Sequence, residues 1–180
     1  MQRFKRAGLP LLPLLPLLPT LLAVLTGAAA GAAAAPGSVD VSFVGATRYA
    51  DAGATPWEIE ANVQALAQHL QQLGDRELPA GRTLTVEILD VDLAGTLRHS
   101  ARAGREIRIV KGGADWPSIR LRYTQGVPGR PVQVGQERLT DMNYSRGFAG
   151  VGRAEPLHFE KRLLDTWFRA RIVDGRPAAD

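Results

Sequence analysis

No cysteine occurs anywhere in the 180 residues. That excludes disulfides, thiolate metal sites, a cysteine nucleophile and a lipid attached to a cysteine at a cleavage site. Several reaction signatures are missing as well. No HExxH sets two histidines for zinc, no GxSxG surrounds a serine, and no lysine followed by serine or threonine completes a phosphate loop. A charge surplus is also missing once the N-terminus is set apart. Three of the 22 basic residues, Arg3, Lys5 and Arg6, stand in the first six positions and the first acid is Asp40, so the remainder carries 19 basic against 18 acidic groups. A near-neutral body lacks the electrostatic footprint of a nucleic-acid binder, and no nucleic-acid partner is expected.

The N-terminus itself reads as a leader. A basic start, "MQRFKR", precedes the apolar run "AGLPLLPLLPLLPTLLAVLTG" and the small-residue tail "AAAGAAAAPG", the plan of a secretory signal peptide. About 20 apolar residues can span a bilayer, but Pro10, Pro13, Pro16 and Pro19 recur every third position. Each proline inside a helix costs roughly 3 kcal/mol. Residues 1–34 are therefore expected to be a cleaved signal peptide, leaving no stable membrane span; a retained anchor in the inner membrane is the alternative. The expected location is periplasmic or secreted. Residues 35–180 are long enough for one soluble domain that buries roughly 68–70% of its unfolded surface.

Periodicity supplies the elements. "VDVSFV" (39–44) alternates as a strand does. Thr55 as N-cap, Pro56 and Glu58 announce a helix with a capping box. Ile59, Val63, Leu66, Leu70 and Leu73 then recur on one face, opposite Glu60, Gln64, Gln68, Gln71 and Gln72, and Gly74 is the expected stop. "TLTVEILDVDL" (83–93), "IRIV" (107–110), "SIRLRYT" (118–124) and "VQVGQERLT" (132–140) read as strands, with Gly135 marking a bulge. A last helix is expected from Pro156 to Gly175, with Leu163, Leu164, Trp167, Phe168 and Ile172 as its apolar stripe. Short turns favour antiparallel neighbours. The expectation is an α+β two-layer sandwich: a mainly antiparallel sheet of about five strands with two amphipathic helices on one face.

Asp90 and Asp92 are the nearest approach to a reaction centre. Residues two apart on a strand share a face, about 6.6 Å apart at roughly 3.3 Å per residue. Asp90, Asp92 and Gly95 match the first, third and sixth places of a calcium loop, yet the fifth and twelfth hold Ala94 and Ala101. Two oxygen ligands are gone where calcium needs six to eight. The simpler expectation is a strand end whose acids pair with Arg98, Arg102 or Arg105 across a hairpin. No metal and no cofactor are expected. His69, His99 and His158 are scattered, "NYS" (143–145) is a bare glycosylation sequon, and Gly147, Gly150 and Gly152 have the wrong spacing for a dinucleotide loop. The run from Arg98 to Lys111, with Arg98, Arg102 and Arg105, is either a solvated hairpin edge or a grip for an anion such as phosphate or an acidic glycan.

The strings "WEIEANVQALAQHLQQLG", "LPAGRTLTVEILDVDLAG", "VKGGADWPSIRLRY", "LTDMNY" and "EKRLLDTWF" stand in this order between Val39 and Ile172. Together they resemble a family of exported bacterial proteins, domain of unknown function 3016. The resemblance implies a Gram-negative periplasmic or secreted protein and brings no reaction, cofactor or catalytic residue. It singles out "LDVDLAG", "GGADWP" and "DMNY". Asp90, Asp92, Asp115, Trp116, Asp141, Asn143 and Tyr144 would line one groove with an aromatic floor if their strand ends cluster. Otherwise Trp116 and Tyr144 plug the sandwich ends while the acids cap turns. Two functions stay open at this point. One is a non-enzymatic envelope protein that binds or scaffolds another envelope protein, a glycan or a small ligand. The other is a hydrolase using Asp90, Asp92 or Asp141 as general acid and base, which requires one pKa raised by burial.

Overall fold

Helix α1 (Pro56–Glu77) connects strands β1 (Ser38–Phe43) and β2 (Thr83–Asp92), which lie parallel and in register from Ser38 opposite Thr83 to Phe43 opposite Ile88. Parallel neighbours need such a long crossover. A computed structural model describes residues 35–146 and 155–177; the leader at 1–34 and the glycines at 147, 150 and 152 lie outside the described residues. Beyond β2 come the hairpin β3 (Thr96–Ser100) and β4 (Arg105–Ile109), then β5 (Ser118–Gly126), β6 (Gln133–Thr140) and helix α2 (His158–Trp167). The main sheet has the order β1-β2-β5-β6, antiparallel from β2 onward, and β3-β4 form a separate ribbon.

The expected α+β sandwich is thus present, with six strands in two sheets among the described residues and the helices packed against the main one. Strand β3 is the element the pattern did not announce. Its sequence, TLRHS, contains one half-buried apolar side chain, Leu97, and alternates poorly because neither face meets the core.

Helix α1 begins where expected. The Thr55 hydroxyl accepts the Glu58 N–H at 3.2 Å, while the Glu58 carboxylate reaches back to the Ala54 N–H at 2.8 Å, one residue beyond the N-cap N–H that a reciprocal capping box uses. It does not stop at Gly74 but runs one further turn to Glu77, and the Leu78 N–H closes on the Gly74 carbonyl at 3.0 Å. Gly74 is there for packing: a Cβ at that position would lie 2.2 Å from Val39 Cγ2. Gly135 likewise marks no bulge. The β5–β6 register passes through Tyr123 opposite Gly135 without a shift, and the tyrosine ring lies over the bare glycine, 2.6 Å from where a Cβ would be.

The core is a continuous apolar layer. Leu66, Leu70 and Leu73 of α1, Leu84, Val86 and Ile88 of β2, Ile119 and Leu121 of β5, and Leu164 and Phe168 are each at most 1% exposed, worth about 1.5–3 kcal/mol per side chain. Trp167 faces inward, its ring edge-on to Tyr123 at 5.5 Å. After Trp167 the last helix widens into a π-helical turn, Phe168–Val173, and the chain leaves it through Gly175 at φ 67°. Helix ends leave carbonyls unpaired; here Arg82 and buried Gln125 both donate to the Ile172 carbonyl at 3.2 Å. His69 is satisfied across the helices, 2.7 Å from the Asp165 carboxylate.

Candidate functional site

Strand β2 changes phase midway, and that change builds the site. Leu84, Val86 and Ile88 face the helices, but the register slips between Ile88 and Asp90, after which Val91 and Leu93 are the buried ones. A bulge inserts one residue and reverses which side chains face in. Without it Asp90 would continue the buried row of Leu84, Val86 and Ile88. With it, both Asp90 and Asp92 stand half-buried on the face away from the helices.

Their partners are not the expected ones. Asp90 accepts the Ala50 N–H at 2.9 Å and lies 3.9 Å from Arg120, its neighbour across β2–β5. None of Arg98, Arg102 and Arg105 forms an ion pair with either acid. The segment after β1 pairs instead with the end of β2: Asp51 N–H donates to Val91 O at 3.0 Å and Leu93 N–H to Asp51 O at 2.9 Å. Asp51 is thereby set beside Asp92. Arg108 of β4 grips the Asp51 carboxylate with both nitrogens, at 2.6 and 2.8 Å, a fork geometry suited to arginine. Asp92 has no such clamp among the described residues. Burial first, then the charges of Asp51 and Asp90, push its carboxyl up from 3.8, against a weaker downward pull from Arg108 and Arg138.

An open cleft of about 670 Å³ lies at this end of the sheet, lined among others by Asp92, Arg98, Lys111, Asp115, Trp116 and Arg138. Four of these were candidates from sequence; Lys111 was noted only as the end of the basic run, and Arg138 not at all. Asp115 accepts the Tyr144 hydroxyl at 2.7 Å, which holds its carboxyl below the usual range. Tyr144 is fully buried, accepts the Gly112 N–H at 3.2 Å and meets Phe159 edge-on at 4.8 Å. Burial and Asp115 push its hydroxyl up to about 12. Half-buried Trp116 packs on this small cluster of Ala94, Tyr144 and Phe159, so the indole has a rigid support.

The remaining candidates stand elsewhere. Asp141 accepts the Asn143 N–H at 2.9 Å, an Asx turn, and pairs with Arg162 at 2.6 Å in a separate groove between β6 and α2. Asn143 is exposed in that turn. Arg102 sits in the β3–β4 turn, and Arg105 lines another hollow beside Leu97 and Glu58. Among the described residues, no group of three or more acids and histidines is set to hold one metal ion. Arg108 was read only as part of the basic run, and missed from sequence altogether were Asp51 and Glu160. The last had a legible signal, since it sits one turn before Leu163 and Leu164 on an apolar stripe. It is 3% exposed, and its carboxylate accepts the Ala94 N–H at 2.7 Å.

A family profile, described as Protein of unknown function (DUF3016), matches residues 37–170. The chain belongs to the DUF3016 family. The DUF3016 span takes in every cleft residue from Asp51 to Arg138 and most of α2 with its π turn. No curated protein and no solved structure matches the chain. Among the described residues of this DUF3016 protein, no helix is long and apolar enough to cross a membrane.

Proposed function

We propose that this DUF3016 protein is exported and non-enzymatic, and that it binds a small polar ligand or short glycan of the bacterial envelope in the cleft beside Asp92. One observation carries this reading: the indole of Trp116 shares an open cleft of about 670 Å³ with polar groups of both signs, Asp92, Arg98 and Lys111. Ligand sites typically combine an aromatic wall with a few convergent polar groups in roughly 300–1,000 Å³. An indole offers a flat apolar face to sugar C–H groups, while carboxylate and guanidinium take hydroxyls. Export rests on the basic start, apolar run and small-residue tail of the leader, with periplasm or secretion as destination and a retained anchor as the alternative.

Titration calorimetry against a panel of neutral and acidic oligosaccharides, read in parallel by tryptophan fluorescence, tests it. Binding by at least one saccharide, lost in Trp116→Ala at a temperature where circular dichroism shows the variant still folded, is the expected result. Heat and fluorescence that stay flat across the panel at millimolar ligand would sink it.

The hydrolase alternative keeps one supporting observation, the raised carboxyl of Asp92 beside Asp51, as a general acid requires. Asp141 has no part in it, being held by Arg162 in another groove. Turnover of aryl glycosides that vanishes in Asp92→Asn while binding persists would favour this alternative. A wild-type chain inert toward them would remove it.

A further inference from the structure

The charged groups of the cleft are unequally engaged. On the acidic side, Asp51 is gripped by Arg108 and Asp115 is tied to the Tyr144 hydroxyl. On the basic side, Arg98, Lys111 and Arg138 line the same cleft, and among the described residues none of the three has a carboxylate within ion-pair distance. The side-chain bond found for Arg138 is a 3.3 Å contact to the Ser118 hydroxyl.

Register sharpens the point. Arg138 stands directly opposite Arg120 across β5–β6, and like charges placed opposite on one sheet face destabilise the pair. Asp90 relieves Arg120 only from 3.9 Å. Asp92 is the cleft's one acid without a close partner; burial and the charges of Asp51 and Asp90 push its carboxyl up, while Arg108 and Arg138 pull it down. Three cations without close partners thus line the same cleft as Trp116, one of them set against a fourth.

We propose that the cleft takes an acidic saccharide: the sugar ring lies on Trp116, and its carboxylate is received by Arg98, Lys111 and Arg138. This deepens, and rests on, the binding reading above. Inorganic phosphate alone would satisfy the cations but would leave the indole and most of the 670 Å³ unused. A neutral sugar would use the indole and leave the three cations without a counter-charge.

The test uses the purified chain and three probes: a tetrasaccharide of uronic acid, its methyl ester with the same rings and no charge, and inorganic phosphate. The acid form is expected to bind at least about tenfold tighter than the ester and to weaken as salt rises. Arg138→Gln and Lys111→Gln are each expected to weaken the acid form by about tenfold, as loss of a charge-assisted hydrogen bond does. Arg138→Gln should also raise the melting temperature at low salt, because Arg120 loses its like-charged neighbour. Loss of binding then cannot be assigned to loss of fold. Equal binding of acid and ester would overturn the anionic ligand and leave the binding reading standing. Phosphate competing as well as the tetrasaccharide would overturn the saccharide. Silence of all three probes would overturn the inference, while the wider neutral panel judges the binding reading separately.

Discussion

Tyr144 shows how one side chain fixes the wall of the cleft. Its hydroxyl is buried, donates to Asp115 at 2.7 Å and accepts the Gly112 N–H at 3.2 Å, so it ties the turn before Trp116 to the turn after β6. Tyr144→Phe removes both bonds and strands a backbone donor, for an expected loss of roughly 1–3 kcal/mol near neutral pH. The pH dependence has a definite sign. The folded hydroxyl titrates at about 12 and the ordinary value is 10.0. Between them the native state keeps a proton that the unfolded chain has lost, so this group's contribution falls as pH rises through that window. Denaturant midpoints from pH 9 to 12 should therefore show the gap between wild type and Tyr144→Phe narrowing above pH 10. A gap constant to pH 12 would mean that the phenol is not held in this way. That Asp115, Trp116 and Tyr144 meet was legible only as string identities; their partners come from three separate turns, which no local pattern records.

Gly74 carries the equivalent argument for an element. Read along the chain, a glycine at the end of an apolar stripe is a helix stop, and the stripe from Ile59 to Leu73 is indeed the buried face of α1. The glycine is internal because α1 and β1 approach so closely there that Val39 occupies the room of a side chain. Gly74→Ala gains up to about 1 kcal/mol in helix propensity. It also forces a Cβ to 2.2 Å from a stiff β-branched side chain, an overpacking that costs typically ~1–3 kcal/mol. Thermal melts should show a net loss for Gly74→Ala and its recovery, relative to Val39→Ala alone, in the double variant. Additive losses would place the strain elsewhere. The same limit explains Gly135, whose neighbour Tyr123 lies on another strand. The bulge in β2 was better recorded, since the apolar set moves from even positions (Leu84, Val86, Ile88) to odd ones (Val91, Leu93) and thereby releases both aspartates from the core. Strand β3 left no trace because pairing with β4, and not burial, holds it.

At the scale of the molecule, the cleft depends on how a small cluster is fastened to the main core. Ala94, Tyr144 and Phe159, with Trp116 against them, pack apart from the layer of α1, α2 and the sheet. Arg162 bonds Asp141 and the Tyr144 carbonyl at 2.6 and 2.9 Å, and Gly95 N–H meets the Asp115 carbonyl at 2.9 Å. The buried link is Glu160, whose carboxylate holds the Ala94 N–H from the first turn of α2. Burial pushes this carboxyl above 4.5, opposed by the Ala94 and Glu160 backbone N–H groups and, more weakly, by Arg108 and His158. A raised folded pKa means that the native state takes up its proton first as pH falls. Stability contributed by this group therefore rises on acidification through the folded pKa and is complete near 4.5, and it declines again toward neutrality. Glu160→Gln keeps an acceptor for Ala94 and cannot ionise. At pH 7 it should melt no lower than wild type, and its advantage should shrink steadily as pH falls toward 4.5. Glu160→Ala, which orphans the Ala94 N–H, should lose roughly 1–3 kcal/mol at either pH. Melting curves for wild type and Glu160→Gln that run parallel from pH 4.5 to 8 would show an acid titrating as in water, and the fastening of the cleft would have to be sought in Arg162 instead.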